Sequence, residues 1–280
     1  MSKFNDWNLY EKIWLLSLMT IILGATVYFS WTGTDYGSAE NLLLNWVISP
    51  LSAISGIFCV VLAAKGKFAT WIWGIANSVL YGYLAYRTGY YGDALMGFVY
   101  FLPTQFIGIL TWKKMMQRDK TKDVRMKNLS WKQALCFLLA GIAATVLFGI
   151  FLHHVDNWFT RVMQRNDMIY LYFTQLSGGR FVLLGPIIDS SIEVLQIFAQ
   201  IFMIMALAEQ WIFWILTNVI TIGMWVIVII ADPASTSWAF PTLIMWVAYL
   251  INSVYGYSIW MKGAKEHENR AVPGQVLHLS

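Results

Sequence analysis

Eight apolar runs, each long enough to cross a lipid bilayer, dominate this sequence: about 13–31, 42–64, 68–86, 94–112, 133–152, 187–208, 210–230 and 238–261. A helix crossing the hydrocarbon core needs roughly 20 apolar residues. In lipid every backbone amide must find its partner within the protein, so single runs of this kind fold as helices. Charge agrees with hydropathy: 12% of the 280 residues are charged and 58% are hydrophobic, about half the charged share of an ordinary soluble domain. The chain therefore reads as an all-α polytopic membrane protein. Lys3 and Lys12 precede the first run as they would in a signal peptide. Its apolar length exceeds the roughly 7–15 residues of a signal h-region, so a retained helix is predicted.

The formal charge of +4 does not point to nucleic acid, because the basic residues are confined to one connecting loop and the two ends. Lys113, Lys114, Arg118, Lys120, Lys122, Arg125, Lys127 and Lys132 lie between the fourth and fifth runs, against only Asp119 and Asp123. Such a loop belongs in the cytoplasm. Counting outward, Lys65 and Lys67 fall inside, Asp35 and Glu40 outside, and the tail with Lys262, Lys265 and Arg270 inside. Both termini are then cytoplasmic. The outer segment 153–186 departs from the rule with Arg161, Arg165 and Arg180, and its stretch Ile169–Phe173 suits an interfacial position. Cys59 and Cys136 sit inside apolar runs and are expected to be small buried hydrophobes. His153 and His154 have no carboxylate spaced to complete a metal set.

A weak duplication runs through the chain. Trp73-x3-Asn77 in the third run matches Trp214-x3-Asn218 in the seventh, and Gly108-x3-Trp112 in the fourth matches Gly256-x3-Trp260 in the eighth. The repeat unit is three spans. Because three is odd, one linking helix lets the second triplet enter the membrane in the same direction as the first, giving parallel repeats. The predicted organisation is two parallel three-helix repeats joined by a linker helix (3+1+3), plus one extra N-terminal helix. Its parts are an extra helix and outer loop at 1–41, the first repeat at 42–112, a basic loop, linker helix and outer loop at 113–186, the second repeat at 187–261, and a tail at 262–280.

Within the spans the informative polar groups are amides near mid-membrane: Asn77, Gln105, Asn218 and Asn252. Transporters place substrate sites at this depth, between repeats. Helical spacing puts Trp73, Asn77 and Tyr81 on one face and Trp211, Trp214, Asn218 and Trp225 on another. Phe101, Gln105, Gly108 and Trp112 share a third face, and Tyr249, Asn252, Gly256 and Trp260 a fourth. Amides flanked by rings suit a flat, polar, ring-containing solute. The candidate binding set is Trp73, Asn77, Tyr81, Gln105, Trp211, Trp214, Asn218, Tyr249 and Asn252. Any one amide can instead tie two helices together at about 0.6–2 kcal/mol. Trp71, Trp112 and Trp260 read as interfacial anchors, Gly108 and Gly256 as close-packing positions, and Pro50 and Pro103 as helix bends. Asp189 and Glu193 are the charged exceptions. Glu193 fits either the outer headgroup layer or a cation-attracting entrance.

The run Trp211-Ile-Phe-Trp214-Ile-Leu-Thr-Asn218, its counterpart Trp73-Gly74-x2-Asn77, and Gln105-x2-Gly108-x3-Trp112 resemble the PnuC family of bacterial vitamin transporters. The resemblance spans the second to eighth runs; the first looks like an addition that shorter members lack. It implies a SWEET-like fold in the bacterial inner membrane and facilitated uptake of nicotinamide riboside. It also implies a functional link to a cytosolic riboside kinase that traps the product. Small homo-oligomers are compatible with the related architecture. The riboside's permanent pyridinium cation suits an aromatic cage, at about 0.5–2 kcal/mol per good contact, and its carboxamide suits Asn or Gln. Thiamine is also a ring-bearing cation, and thiamine or riboflavin remains the alternative substrate.

Alternating access is the expected mechanism, one triplet rocking against the other. Intramembrane acids and histidines are too sparse for the proton relays that coupled carriers use, and no phosphate-binding P-loop is present. A channel would need a small or polar lining where this chain has bulky rings. An enzyme would need a nucleophile–base pair or metal set at depth. Neither catalysis nor a cofactor is expected, and the bilayer is the chain's other constant partner.

Overall fold

An apolar solvent leaves the backbone to satisfy itself, and the described residues do so with eight long helices. The computed structural model describes residues 8–32, 43–88, 91–163, 184–231 and 236–271. The helices are α1 (Leu9–Thr32), α2 (Ser49–Ala64), α3 (Thr70–Thr88), α4 (Leu102–Asp119), α5 (Trp131–Met163), α6 (Leu184–Ile204), α7 (Gln210–Ala231) and α8 (Thr236–Ala271). Among the described residues every regular element is helical. Seven helical segments are long and apolar enough to cross a membrane. The eighth, α3, has 19 residues but carries Trp71, Trp73, Asn77, Ser78, Tyr81 and Tyr83, which lower its hydropathy. The chain is a multi-pass membrane protein.

Two helices outrun their predicted spans. α5 has 33 residues and α8 has 36, about 50 Å each at 1.5 Å per residue, against roughly 30 Å of hydrocarbon. α8 continues through Lys262 and Lys265, and α5 carries His153 and His154 on to Met163, where a loop was expected. The proposed interfacial stretch Ile169–Phe173, the segment 232–235 and the tail beyond 271 lie outside the described residues.

Pro50 and Pro103 act through a change in helix pitch. Proline offers no amide to the carbonyl four residues back. The turns before each one widen into π-helix, at Leu44–Ile48 and at Met96–Phe101. Ser49 N–H donates to Leu44 O and Leu102 N–H to Gly97 O, both across five residues. Such bulges concentrate at functional sites, and Met96, Gly97 and Phe101 of the second one line the cavity described below.

α2 packs against α3 and α8, α7 against α6 and α8, and α4 against α3 and α6. α1 and α5 are peripheral. α1 begins with a reciprocal cap: Glu11 N–H donates to Asn8 Oδ1 at 2.8 Å and Asn8 N–H to Glu11 Oε2 at 2.8 Å, satisfying two end amides. The Glu11 carboxylate also receives Lys65 Nζ at 2.6 Å and Tyr255 Oη at 3.2 Å, tying α1 to α2's end and α8. α5 packs on α6 and exposes Leu138, Leu139, Leu147 and Phe151, as a lipid-facing helix should. Cys136 lies on that exposed surface, correcting the expectation that it is buried; Cys59 is partly buried and lines the cavity.

Trp71, Trp112 and Trp260 are not interfacial anchors. Each is 0% exposed, packed with Trp211 where the α2–α3 and α6–α7 turns meet. Trp71 meets Trp112 edge-on at 5.0 Å, and Trp211 meets Trp260 edge-on at 6.0 Å. The rings fit because Gly108 faces Trp71 and Gly256 faces Trp211; a Cβ at either glycine would collide with the indole. Trp112 Nε1 donates to Met203 O at 3.0 Å, and Trp260 Nε1 to Ala63 O at 3.2 Å and Ala64 O at 3.0 Å. The turns match as well. Gly66 at φ 62° and Ala206 at φ 59° both adopt the left-handed conformation, which costs a non-glycine residue about 1–2 kcal/mol. Val124 N–H donates to Gly66 O and Lys127 N–H to Ala206 O, so the basic loop straps both turns together.

Candidate functional site

One cavity of about 110 Å³ opens among α2, α3, α4, α6, α7 and α8. That is room for several waters, a single one needing roughly 10–15 Å³. Seven of the nine candidate residues line it: Asn77, Tyr81, Gln105, Trp211, Trp214, Asn218 and Tyr249. Helix periodicity explains the convergence, because Asn77 and Tyr81 are one turn apart on α3, as are Trp214 and Asn218 on α7.

Two candidates point elsewhere. Trp73 stacks on Phe58 with ring centres 4.6 Å apart, and Asn252 donates from Nδ2 to Val60 O at 2.8 Å. Both tie α2 to a neighbouring helix and neither lines the cavity.

The amides that do line it are held from one side. Asn77 Nδ2 donates to Ser52 O at 2.9 Å, and Asn218 Nδ2 to Ser253 Oγ at 3.0 Å. Among the described residues, Asn218 Oδ1 and Gln105 Oε1 are buried acceptors with no protein donor, and Trp211 Nε1 and Trp246 Nε1 are buried donors with no protein acceptor. Buried polar atoms are nearly always paired, and these four belong to residues that line the cavity. The rings form two groups. Phe101 and Trp214 lie nearly parallel at 6.4 Å, Tyr81 meets Trp246 edge-on at 6.1 Å, and Trp246 meets Tyr249 at 5.3 Å.

Glycines bring helices close enough for these side chains to meet. A Cβ at Gly74 would collide with the Gln105 amide, and one at Gly56 with the Tyr249 hydroxyl and Asn77 Nδ2.

Several lining residues lie outside the candidate set. Gln196 and Gln200, one turn apart on α6, line the cavity, and Gln200 Nε2 donates to Thr104 Oγ1 at 3.2 Å. Two amides four residues apart in an apolar helix were a usable signal. Trp246 had none, being one ring among many. Asp93 lines the cavity, is 7% exposed, and accepts from Tyr81 Oη at 2.8 Å; it stands one residue before the predicted start of its span. Glu193 is 2% exposed, which excludes the headgroup position. The lining contains no lysine, arginine or histidine among the described residues.

Comparison with known proteins identifies the family. Residues 45–262 match the family model described as nicotinamide mononucleotide transporter. A Neisseria mucosa protein named nicotinamide riboside transporter PnuC is 29% identical over 270 residues, covering 95% of this chain and 86% of that protein. A Haemophilus influenzae protein of the same name is 29% identical over 264 residues, with 93% of each chain covered. The crystal structure of a protein described as the vitamin B3 transporter PnuC superposes with a TM-score of 0.70 at 29% identity, covering 94% of this chain and 95% of that one. With the family model matching well over half its length, this chain belongs to the nicotinamide mononucleotide transporter family.

Proposed function

We propose that this chain carries nicotinamide riboside into the bacterial cell by facilitated diffusion. The observation that carries the reading is the cavity lining: aromatic rings and amides, one carboxylate, and no basic side chain among the described residues. The riboside offers a flat pyridinium for the rings, a carboxamide for Gln105 or Asn218, and ribose hydroxyls for the remaining polar groups. The family description names the mononucleotide, while the curated relatives are named for the riboside. Site chemistry favours the riboside, because a phosphate dianion calls for arginine, lysine or clustered backbone amides, and Asp93 would repel it.

The carrier works by alternating access between two three-helix repeats, α2–α4 and α6–α8, with α5 as linker and α1 as an addition. Matched ties support the duplication: Trp112 to Met203 and Trp260 to Ala63 join the third helix of each triplet to the first of the other. Thr104 with Gln200 and Asn252 with Val60 make a second such pair. The strapped turns lie on the cytoplasmic side together with the basic loop, both termini are cytoplasmic, and the membrane is the inner one. A cytosolic kinase makes uptake one-way by phosphorylating the product. The chain itself catalyses nothing, and small homo-oligomers suit the architecture.

Counterflow in proteoliposomes tests the class and the substrate together. Labelled riboside should accumulate transiently in vesicles preloaded with unlabelled riboside and should saturate. Vesicles preloaded with the mononucleotide should give no overshoot. Linear, non-saturating entry would contradict a carrier, and equal overshoot with the mononucleotide would contradict the substrate.

A further inference from the structure

Asp93 is the one charged side chain in the cavity lining among the described residues. An intramembrane carboxylate is costly unless partnered, and it marks a functional position by default. Its side chain is buried, lines the cavity, and takes a hydrogen bond from Tyr81 Oη at 2.8 Å. Tyr81 packs edge-on against Trp246, and Trp246 against Tyr249. One ring therefore touches the carboxylate, and two more continue from it along the wall of the same cavity. A Cβ at Gly92, the neighbour of Asp93 in the chain, would meet the Asp189 and Glu193 carboxylates at 3.2 and 3.3 Å, so two acids of α6 lie close to this point of the chain, outside the cavity lining.

Rings and a carboxylate attract the same class of ligand. Aromatic faces favour cations through their quadrupoles, and more strongly when water is excluded. A desolvated carboxylate acts at longer range and is felt in proportion to ligand charge. Amides by contrast bind a carboxamide or a hydroxyl equally well on a neutral ring. The two kinds of group thus divide the labour: amides read shape and hydrogen bonding, and the acidic, ring-lined end reads charge.

We propose that Asp93, held by Tyr81, is the residue that makes this cavity select a monocationic ring over a neutral ring of the same shape. The inference rests on the proposed riboside function and adds the determinant of its charge selectivity. The hydroxyl of Tyr81 keeps the carboxylate partnered in the empty cavity, and an arriving cation then adds to that partnership.

The test compares two ligands of nearly equal shape, nicotinamide riboside, which is cationic, and its dihydro form, which is neutral. Both are titrated by calorimetry into the purified full chain and into Asp93→Asn, whose amide oxygen still accepts from Tyr81. The wild type should bind the cation about tenfold or more tighter than the neutral compound. Asp93→Asn should weaken the cation by a similar factor while leaving the neutral ligand within about threefold, closing the gap. Equal losses for both ligands would make Asp93 a structural residue and overturn the inference, as would a variant that keeps the full preference. Should Asp93→Asn not purify as folded protein, Asp93→Ser takes its place under the same expectations, and a wild type with equal affinity for the two compounds overturns the inference in either case. A wild type that binds neither compound contradicts the riboside function itself, and the inference falls with it. A wild type that binds both equally leaves that function standing.

Discussion

Trp214 and Trp73 occupy matching places in the two W-x3-N motifs, yet only Trp214 lines the cavity. Their replacements should therefore diverge. Trp214→Ala should weaken riboside binding about tenfold or more through lost stacking. Trp73→Phe should change it by less than about twofold, because Trp73 stacks on Phe58 away from the solute and phenylalanine preserves ring packing. Calorimetry on the two variants checks this, and equal losses would show that motif position alone decides. Glycine makes a sharper test of site geometry. Gly56→Ala drives a methyl into the Tyr249 hydroxyl and Asn77 amide, an overpacking that costs about 1–3 kcal/mol and should also displace both groups from the solute. Gly223→Ala, with nothing within 4 Å of an added Cβ, should leave binding unchanged and raise stability by up to about 1 kcal/mol through helix propensity. The spacing of Asn77, Tyr81, Trp214 and Asn218 was legible because helical period alone puts them on common faces. Sequence spacing cannot say which way a face turns, so Asn252 was legible as a polar position but not as a tie to Val60. Asp93 was hidden by the span boundary drawn at residue 94.

Among the elements, α1 is held by the burial of Leu15, Leu18 and Ile22 and by one ion pair at its start. Glu11 and Lys65 side chains are 4% and 12% exposed at 2.6 Å separation. Removing one partner from such a pair costs about 3–5 kcal/mol because the other charge is left buried. Lys65→Met should accordingly lower the detergent melting temperature, and Glu11→Gln combined with Lys65→Met should recover much of the loss. A single variant as stable as the wild type would show that α1 is not anchored there. The spans themselves were legible from hydropathy, down to an α3 that falls short of a spanning hydropathy because it carries so much of the site. The fate of the end tryptophans was not. An interfacial anchor and a buried packing core share one residue type, and only tertiary proximity of Gly108 to Trp71 and Gly256 to Trp211 separates them. The prolines were legible as irregularities, but their resolution into π-helical turns depends on how neighbouring carbonyls are satisfied.

At the scale of the whole molecule, fold and family converge on a transporter. The resemblance carried by Trp211–Asn218, Trp73–Asn77 and Gln105–Trp112 agrees with the family match over residues 45–262 and with a solved structure at a TM-score of 0.70. Site chemistry adds what a family description cannot, a reason to prefer a phosphate-free cation: the lining holds Asp93 and no basic residue among the described ones. The most direct test of the central claim is calorimetric binding to the purified chain, with nicotinamide riboside, its mononucleotide, thiamine and riboflavin measured side by side. The account predicts micromolar binding of the riboside alone, on the order of −8 kcal/mol, lost or strongly weakened in Trp214→Ala and Asn218→Ala. Binding of the mononucleotide as tight as that of the riboside, or riboside binding indifferent to both substitutions, would contradict it.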